Sequence, residues 1–538
     1  MPPTLMLVAG STPLKKLFLI SLIVATLALL GAALVWPPVL WAFVVLGPVL
    51  LVGIYDLTQT RHTILRNYPI IGHLRYVLED ARHHIRQYLI QGDKEGDPFT
   101  RPERSVVYQR AKRESDVQPF GTLLDTGAVG YEWFEHSIHS NEPASEEVRV
   151  KVGGDLCAQP YLASHLNISA MSFGSLGSHA IEALNAGAKQ GGFAHNTGEG
   201  GVSRYHLEPG GDLIWQLGTG YFGARAADGR FDPARFKQRS AHASVRMIEL
   251  KLSQGAKPGG GGILPGTKVT ADIATARGVP QGETVHSPAR HSSFDTPLEM
   301  MEFLARLREL SGGKPVGFKL CVGRRREFMS VLKAIIETGI APDFITVDGG
   351  EGGTGAAPRE LTDHVGLPLR EGLVFAHNAL VGAGLRDRVR LICSGKIING
   401  FDLAAKIAMG ADMCNSARGM MFALGCIQAR RCHANTCPTG VATQDPWRMN
   451  GLVVADKAPR VANYHAGTIL HFLKILAACG LRDASELTPQ LLYRRVSPTR
   501  ITHYGEIFDY LAPGVLREGG GGPGYQPHWD AARAATFG

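Results

Sequence analysis

Residues 389–417, VRLICSGKIINGFDLAAKIAMGADMCNSA, decide the fold. They begin with a short apolar run, Val389–Ser394, that leads into a glycine-containing loop. A helical stretch, Phe401–Met409, follows, and a second apolar run, Met413–Ala417, completes the unit. Strand, helix and strand in this order are typical of α/β folds with a parallel sheet.

The same unit recurs along the chain, with further helical stretches at Ser178–Gln190, Pro297–Leu310 and Arg325–Thr338. Eight such units predict an α/β protein with a (β/α)8 TIM barrel. A doubly wound sheet is the alternative, and we do not expect a Rossmann dinucleotide site. The candidate strands are Leu166–Ala170, Gly192–His195, Leu213–Leu217, Arg246–Leu252, Val316–Cys321, Phe344–Asp348, Val389–Ser394 and Met413–Ala417.

The composition is that of a globular protein. Of 538 residues, 44% are hydrophobic and 19% are charged, which allows a large core and excludes wholesale disorder. Eight cysteines are too few for a disulfide scaffold, so a reducing compartment is expected. The net charge of +8 comes with no nucleic-acid-binding motif, and no nucleic-acid partner is expected.

An uncharged run, Leu17–Tyr55, is long enough for two membrane-spanning helices. Trp36-Pro37-Pro38 interrupts it, so we predict a transmembrane helical hairpin, Leu17–Trp36 and Val39–Tyr55. Basic residues flank both ends (Lys15, Lys16, Arg61 and Arg66), which predicts that both ends and the barrel lie on the cytoplasmic side. A signal peptide and a buried core hairpin are the alternatives.

These patterns predict five parts of the chain. Basic residues outnumber acidic ones between Thr58 and Arg113, as suits a segment beside anionic lipids. The parts are a cytoplasmic tail, 1–16; the transmembrane hairpin, 17–57; a basic helical arm and linker, 58–130; the barrel with its cysteine loop, 131–515; and a C-terminal tail, 516–538.

Glycine and polar residues cluster where the predicted strands end, which is where TIM barrels carry their chemistry. The loops after strands seven and eight commonly hold a phosphate in this fold, and the phosphate of flavin mononucleotide (FMN) would fit there. Lys319 would lie beside the flavin ring, or would form an ion pair inside the barrel. The predicted cofactor-binding residues are Ala170, Met171, Ser172, Thr197, Glu199, Gln254, Lys319, Asp348, Gly349, Gly350, Gly353, Thr354, Ser394, Gly395, Lys396, Ser416, Ala417 and Arg418.

Three cysteines form a C-x5-C-x4-C pattern at Cys426, Cys432 and Cys437, and a proline follows the last. The spacing does not suit zinc knuckles but is compatible with an iron–sulfur cluster. Cys414, the nearest other cysteine, is assigned to strand eight, so three ligands predict a [3Fe–4S] cluster. Buried thiols without metal are the alternative.

Seven segments together resemble the FMN-binding synthase domain of glutamate synthases. The resemblance implies FMN, a [3Fe–4S] cluster, and reduction of 2-iminoglutarate, made from 2-oxoglutarate and ammonia, with electrons from an external donor. The segments are SAMSFGSL, HNTGEGG, KLSQGAKPGGGGILPG, GFKL, VDGGEGGTGAAP, LICSGKIINGFDLAAKIAMGAD and GCIQARRCHANTCPTGVATQ.

The resemblance also implies catalytic roles. Lys319 would act at the flavin, and Lys257 and Arg277 would bind substrate carboxylates, although Arg277 could equally lie on a helix surface. The family's KPGEGG has Gly260 in place of its glutamate here, and its SGRFG has Tyr221 in place of its arginine. Both departures weaken the expectation of 2-oxoglutarate as the substrate.

No amidotransferase domain, β-helix domain or NADPH-binding segment is expected, so the resemblance is to a short, membrane-tethered branch of the family. An FMN oxidoreductase that passes electrons from another amino or hydroxy acid to quinone is the alternative function. A scaffold subunit with a degenerate barrel is a third, and the intact glycine loops argue against it.

Overall fold

The computed structural model describes residues 13–92 and 94–538, with only the backbone for residues 13–16 and Leu19. Most of the predicted tail, residues 1–12, therefore lies outside the described residues. The chain forms two compact units, the first ending at Pro98 and the second beginning at Phe99. The domain boundaries drawn from the sequence stay predictions.

In the second unit, eight parallel strands close into a barrel, each paired with the next in chain order and the last with the first. The predicted TIM barrel is therefore confirmed. Its strands are β1 (Leu166–Ile168), β2 (His195–Asn196), β3 (Leu213–Leu217), β4 (Val245–Lys251), β5 (Val316–Leu320), β6 (Phe344–Asp348), β7 (Arg390–Ser394) and β8 (Met413–Ser416).

The amino-terminal end of the barrel is filled with apolar side chains. Ile214, Met247, Phe344 and Ile392 are buried there in one cluster. An antiparallel hairpin, in which Val150–Val152 pairs with Tyr161–Ala163, contributes to the same cluster. Because this end is packed shut, the opposite end, where the strands finish, is left for a site.

Helices surround the barrel. A second, larger apolar cluster is buried between these helices and the outer faces of the strands. Other short strands form two small antiparallel sheets, one of Glu132–Phe134, Leu492–Ser497 and Arg500–His503 and one of Ile263–Leu264 and Val285–His286. The helices of this unit are Arg101–Lys112, Ser178–Gly191, Arg204–Leu207, Pro233–Ser240, Ala271–Arg277, Pro297–Leu310, Arg325–Thr338, Arg359–His364, Leu369–Gly382, Gly400–Ala408, Arg418–Leu424, Pro446–Asn450, Val454–Ala478, Tyr504–Ile507 and Gly522–Ala531.

The C-terminal segment is folded onto the barrel helices. Trp529, in the last helix, is buried, and the ammonium of Lys333 lies 5.0 Å from the centre of its ring. Lys333 also donates to the carbonyl of Ala532. Residues 516–538 are therefore part of the packed unit, although the sequence predicts only a tail.

The first unit is helical, with its segments at Pro13–Ala33, Pro37–Ala42, Phe43–Thr58, Thr63–Asn67, Ile71–Ile85 and Arg86–Ile90. One stretch among the described residues, Pro37–Thr58, has the length and composition to cross a membrane, with a mean hydropathy of 2.2. The other apolar stretch, Ile20–Ala33, is shorter. The helix break falls between Ala33 and Pro37, as predicted, but two full spans are not confirmed.

Candidate active site

At the open end of the barrel, the loops after β4 and β6 touch backbone to backbone. The amide of Gly255 donates to Oδ2 of Asp348 over 3.0 Å. A Cβ atom at Gly255 would lie 1.6 Å from the carbonyl oxygen of Gly349, a distance that no side chain tolerates. Gly198, after β2, similarly lies against the backbone of Ser172, after β1. Glycine is therefore required where these loops meet.

A buried carboxylate ties the strands together below these loops. Glu249 of β4 accepts hydrogen bonds from Asn196 (2.8 Å), Gln216 (2.6 Å) and Thr346 (2.7 Å), which lie on β2, β3 and β6. Each carboxylate oxygen therefore has a partner, which offsets the cost of burying the charge. Glu249 holds the strand ends in register beneath the site.

Lys319 of β5 lies above Glu249 and pairs with Asp348 of β6, with 3.1 Å between Nζ and Oδ2. Burial opposes the lysine's charge, but the carboxylates of Asp348 and Glu249 outweigh it and raise the pKa of Lys319. The lysine is therefore a buried, permanent cation at the barrel mouth. The ion pair predicted as an alternative for Lys319 is therefore confirmed. A role for Lys319 at the cofactor is compatible with this pair and stays a prediction.

A second ion pair joins Glu199, after β2, to Lys251 at the end of β4, with 3.0 Å between the charged atoms. Lys251 also donates to Gln254 over 2.7 Å. Burial alone would raise the pKa of Glu199. The positive charges of Lys251, Arg277 and Lys257 have the larger effect and lower this pKa. Glu199 is therefore an anion held among three cations.

Lys257 and Arg277, the predicted substrate ligands, both face this region. Lys257 is buried and donates to the carbonyl of Ala356 over 3.2 Å. Burial lowers its pKa, and Glu199 acts in the opposite direction. The structure thus brings together the predicted residues Glu199, Gln254, Lys257 and Arg277.

Arg277 ends a short helix but is only 5% exposed, so the helix-surface interpretation is wrong. Its Nη2 donates to the carbonyl of Phe173 over 3.1 Å and lies 3.5 Å from Oγ of Ser172. The guanidinium stacks on Phe222, and its buried Nε has no hydrogen-bond partner among the described residues. Burial lowers the pKa of Arg277 to about 10, with Glu199 opposing. It is a desolvated cation with an unused donor.

The loops after β7 and β8 carry the predicted phosphate ligands. Gly395 has a φ of 148° and Lys396 has a φ of 49°, so the chain turns sharply directly after β7. Ser394 at the end of β7 shares a 2.9 Å hydrogen bond with Ser169, which follows β1. Ser416 at the end of β8 donates to the carbonyl of Ile397 over 2.7 Å. These bonds bring the loops after β1, β7 and β8 together.

One part of the predicted phosphate loop is already occupied. Asp402 accepts hydrogen bonds from the amides of Ile398 (2.9 Å) and Asn399 (3.2 Å) and so caps the helix Gly400–Ala408. A phosphate cannot use those two amides while the carboxylate holds them. The candidate phosphate site is thereby reduced to Gly395, Lys396 and the loop after β8.

Two cations and the loop after β6 complete that site. The side chains of Lys396 and Arg418 both lie over the ring of Phe99, at 5.8 Å and 4.6 Å from its centre. Arg418 also donates to the carbonyl of Glu351, and a Cβ atom at Gly353 would lie 3.0 Å from its Nε. Paired cations beside glycine loops suit a phosphate, so the residues present fit the FMN phosphate.

The remaining predicted cofactor residues lie on the same loops. Ala170 and Met171 follow β1, Thr197 follows β2, and Gly350 and Thr354 lie in the loop after β6. The hydroxyl of Thr197 donates to the carbonyl of Gly198. All of them lie at the carboxyl ends of the strands, while their roles stay predictions.

The three cysteines lie on the loop after the helix Arg418–Leu424. Burial raises the pKa of Cys426 to about 12, and the thiols of Cys432 and Cys437 act in the same direction. The buried ammonium of Lys268 donates to the carbonyl of Cys432 over 2.8 Å. The loop after β6 also comes close, since a Cβ atom at Gly355 would lie 3.9 Å from Cβ of Cys432.

The backbone of this loop is unusual because Gln428, Arg430 and Asn435 all have positive φ, at 56°, 54° and 60°. In residues 13–92 and 94–538, no three His, Cys, Asp or Glu side chains gather closely enough to hold one metal ion. The predicted cluster is therefore not confirmed. Three thiols on one strained loop, with Cys437 buried and the other two partly buried, still suit a multi-iron cluster, whose thiolates need not converge on a single ion.

Two of the other cysteines lie on barrel strands. Cys414 of β8 lies in the barrel wall, 3.7 Å from the sulfur of Cys393 on β7. All eight cysteines are free thiols.

Sequence reasoning missed several residues of the site. Lys251 belongs to the KLSQG segment and lies two residues after Glu249, on the same face of the strand, so strand alternation could have pointed to it. Glu249 gave a signal as a lone acid inside an apolar strand. No sequence pattern pointed to Phe99 or Lys268, because they approach the site from distant parts of the chain.

The fold and the site define the class of protein. It is a TIM-barrel protein whose glycine-lined mouth gathers buried cations and carboxylates beside a three-cysteine loop.

Comparison with known proteins supplies the family. The family description "conserved region in glutamate synthase" matches residues 135–482. A glutamate synthase large subunit-like protein of Bacillus subtilis (YerD) is 37% identical over 88% of this chain and 96% of its own length. The archaeal glutamate synthase [NADPH] of Methanocaldococcus jannaschii is 31% identical over 66% of each chain. The chain therefore belongs to the glutamate synthase family.

Among solved structures, a flavocytochrome b2 variant covers 83% of the chain at 13% identity and a TM-score of 0.42. This likeness is too slight to support an argument about the site.

Proposed function

We propose that the protein is an FMN- and iron–sulfur-dependent oxidoreductase of glutamate synthase type. It reduces 2-iminoglutarate, formed from 2-oxoglutarate and ammonia, to glutamate with electrons from an external donor. The C=N bond takes up two electrons and two protons in this reaction. The observation that carries the proposal is the set of buried cations (Lys251, Lys257, Arg277 and Lys319) that surrounds the mouth of the family's barrel.

Lys257 and Arg277 bind the substrate carboxylates. Both are buried cations beside Glu199, and the unpartnered Nε of Arg277 is a donor that a carboxylate would satisfy. A guanidinium and an ammonium in a dry site bind carboxylates more strongly than they would in water. These two residues therefore fix the position of the substrate.

FMN, when bound, supplies hydride chemistry, and its phosphate is held by Gly395, Lys396 and Arg418. Lys319 provides a fixed positive charge at the barrel mouth, where negative charge on the cofactor would be stabilised. Asp348 holds the Lys319 ammonium in place through the 3.1 Å ion pair. Cys426, Cys432 and Cys437 would hold a [3Fe–4S] cluster, which would supply single-electron transfer.

The departures at Tyr221 and Gly260 bear on the substrate. The Tyr221 hydroxyl donates to Ser293 over 2.9 Å and lies 3.1 Å from Nδ1 of His291, so it is engaged in a buried network. Gly260 is exposed, and a Cβ atom there would make ordinary contacts, 3.5 Å from Leu361 and 3.6 Å from the carbonyl oxygen of Lys257. An FMN oxidoreductase that oxidises another amino or hydroxy acid and reduces quinone is the second candidate, favoured by the apolar stretch Pro37–Thr58.

The membrane attachment is also a proposal. The two apolar helices lie against each other within the first unit, since a Cβ atom at Gly53 would lie 2.7 Å from the ring of Phe18. Large apolar side chains along both are exposed, including Leu27, Trp41 and Val45. We place both helices in the membrane as a hairpin, with the barrel on the cytoplasmic side.

The cofactors and the reaction are tested together. The purified protein should contain FMN and non-haem iron and should form glutamate from 2-oxoglutarate, ammonia and a reduced dye. Gly395→Ala should lose FMN, whereas Gly339→Ala, at a positive φ far from the mouth, should keep it. Cys432→Ser should lose iron and its paramagnetic signal, whereas Cys157→Ser should keep both. Turnover only with amino or hydroxy acids plus quinone would select the second candidate.

A further inference from the structure

A polar cleft of about 190 Å³ lies on the outside of the barrel, beside the mouth. Three segments line it: the turn Gly223–Arg225, the helix Pro233–Ser240 and the end of the helix Ala271–Arg277. Its side chains include four arginines, Arg225, Arg235, Arg239 and Arg277, together with Gln238 and Thr275. The cleft is smaller than most cofactor sites, which run to several hundred Å³, and has room for a small ligand.

Backbone carbonyls and a single acid hold these arginines in place. Arg225 donates to Gly220 over 3.1 Å and Arg239 to Val202 over 2.8 Å, in each case through one nitrogen. Arg235 donates to Arg225 over 2.8 Å, and its 3.4 Å pair with Asp232 is the single ion pair found for these four residues in the described part of the chain. The other guanidinium nitrogens are left for a ligand.

Four guanidinium groups around one cleft repel one another unless negative charge is present. Asp232 supplies one such charge, and Glu199 acts on Arg277 from the side of the barrel mouth. Each planar guanidinium fork matches the oxygen geometry of a phosphate or a carboxylate.

We propose that this cleft is a binding site for a small oxyanion, a phosphate or a di- or tricarboxylate. The site is separate from the barrel mouth but shares Arg277 with it. Arg277 lines the cleft and also contacts Phe173 and Ser172 behind the mouth. An anion in the cleft places negative charge beside this guanidinium and so changes the field at the mouth. This coupling rests on the proposed function, whereas the anion site does not.

Isothermal titration with inorganic phosphate and with citrate, at constant ionic strength, tests the site on the full-length protein. Saturable binding is expected, and whichever anion binds more tightly identifies the oxyanion class. Arg239→Gln should weaken binding about tenfold or more, as expected for loss of a charge-assisted contact. Lys237→Gln removes the same charge from the same helix outside the cleft and should change affinity less than twofold.

Gln238→Glu is the second variant, because it places a carboxylate in the cleft while every arginine stays. It should weaken binding at least as much as Arg239→Gln does. Equal affinity of the Arg239 and Lys237 variants for the small anion would overturn the proposed site. Binding of polyglutamate, without binding of phosphate or citrate, would also overturn it. Phosphate that binds without altering the flavin absorbance would overturn the coupling and leave the site standing. If the protein proved to bind no flavin, the calorimetric result for the anion site would still stand.

Discussion

Lys319 and Asp348 form a 3.1 Å ion pair across the neighbouring strands β5 and β6, directly at the barrel mouth. Asp348 also accepts the amide of Gly255, so one carboxylate fixes both the lysine and the loop after β4. Both residues are predicted cofactor ligands, and the pair gives each of them a structural role as well. The two roles can be separated by substitution.

Lys319→Met should lower the free energy of unfolding by about 3 kcal/mol, since it leaves Asp348 as a buried anion without its cation. Asp348→Asn keeps an acceptor for Gly255, and combined with Lys319→Met it removes both charges. The double variant should therefore be more stable than Lys319→Met alone, which urea unfolding would measure. Additive losses in the double variant would mean that the pair contributes no coupling energy.

Gly255→Ala should destabilise the barrel by more than about 2 kcal/mol and release the flavin, because its Cβ atom would overlap the carbonyl of Gly349. Gly260→Ala, in the same loop, meets nothing nearer than 3.5 Å and should cost less than about 0.5 kcal/mol. Melting temperature and flavin content of the two variants provide the comparison. Retained flavin in Gly255→Ala would show that the two loops do not shape the cofactor site.

The contrast between these glycines shows where sequence reasoning stops. The strands were predictable because apolar runs such as Phe344–Asp348 recur between helical stretches and are buried in the barrel wall. The approach of Gly255 to Gly349 was not, since it joins loops that are distant in sequence. Arg277 was ambiguous for a similar reason: its burial comes from Phe222 and the loop after β1, not from its own helix.

Other details had a local signal that went unused. Asn399 followed three residues later by Asp402 is the pattern of a helix N-cap, and the structure has that capping box. The pattern would have shown that the amides of Ile398 and Asn399 are not available to a phosphate. The cysteine spacing, in contrast, carries no information on how far apart the three sulfur atoms lie.

His291 should make stability depend on pH. It is buried between the Tyr221 hydroxyl and the carbonyl of Lys251, and burial lowers its pKa to about 4. Between pH 6.5 and 4 the unfolded chain takes up a proton that the folded chain does not, so stability falls as pH falls. The loss is on the order of 3 kcal/mol over this range.

His291→Gln should reduce the proton uptake on unfolding by about one, so that the free energy of unfolding depends less steeply on pH. His286→Gln, on an exposed strand end, should leave this pH dependence unchanged. Urea unfolding at a series of pH values would measure both. A His291→Gln profile that parallels that of the unsubstituted protein would show that His291 does not titrate differently in the folded state.

The apolar segments of the first unit should hold the protein in the membrane. Trp41 and Val45 in the stretch Pro37–Thr58 are 77% and 72% exposed, and burying such side chains in lipid is favourable. Deletion of residues 1–57 should therefore move the protein from the membrane pellet to the supernatant with its flavin retained. A deletion protein that still sediments with vesicles would place the membrane contact elsewhere in the chain.

Val45→Arg tests whether the segment spans or only adheres, because a central arginine costs about 2.5–3.5 kcal/mol on insertion. Val77→Arg is the matched control, since Val77 is exposed on the helix Ile71–Ile85, outside the candidate span. Only Val45→Arg should reduce the fraction that resists alkaline extraction. Because Arg61 and Arg66 follow the span, protease should cut the barrel from inside-out vesicles and spare it in right-side-out ones. The reverse pattern would place the barrel outside, where a three-thiol cluster would meet an oxidising environment.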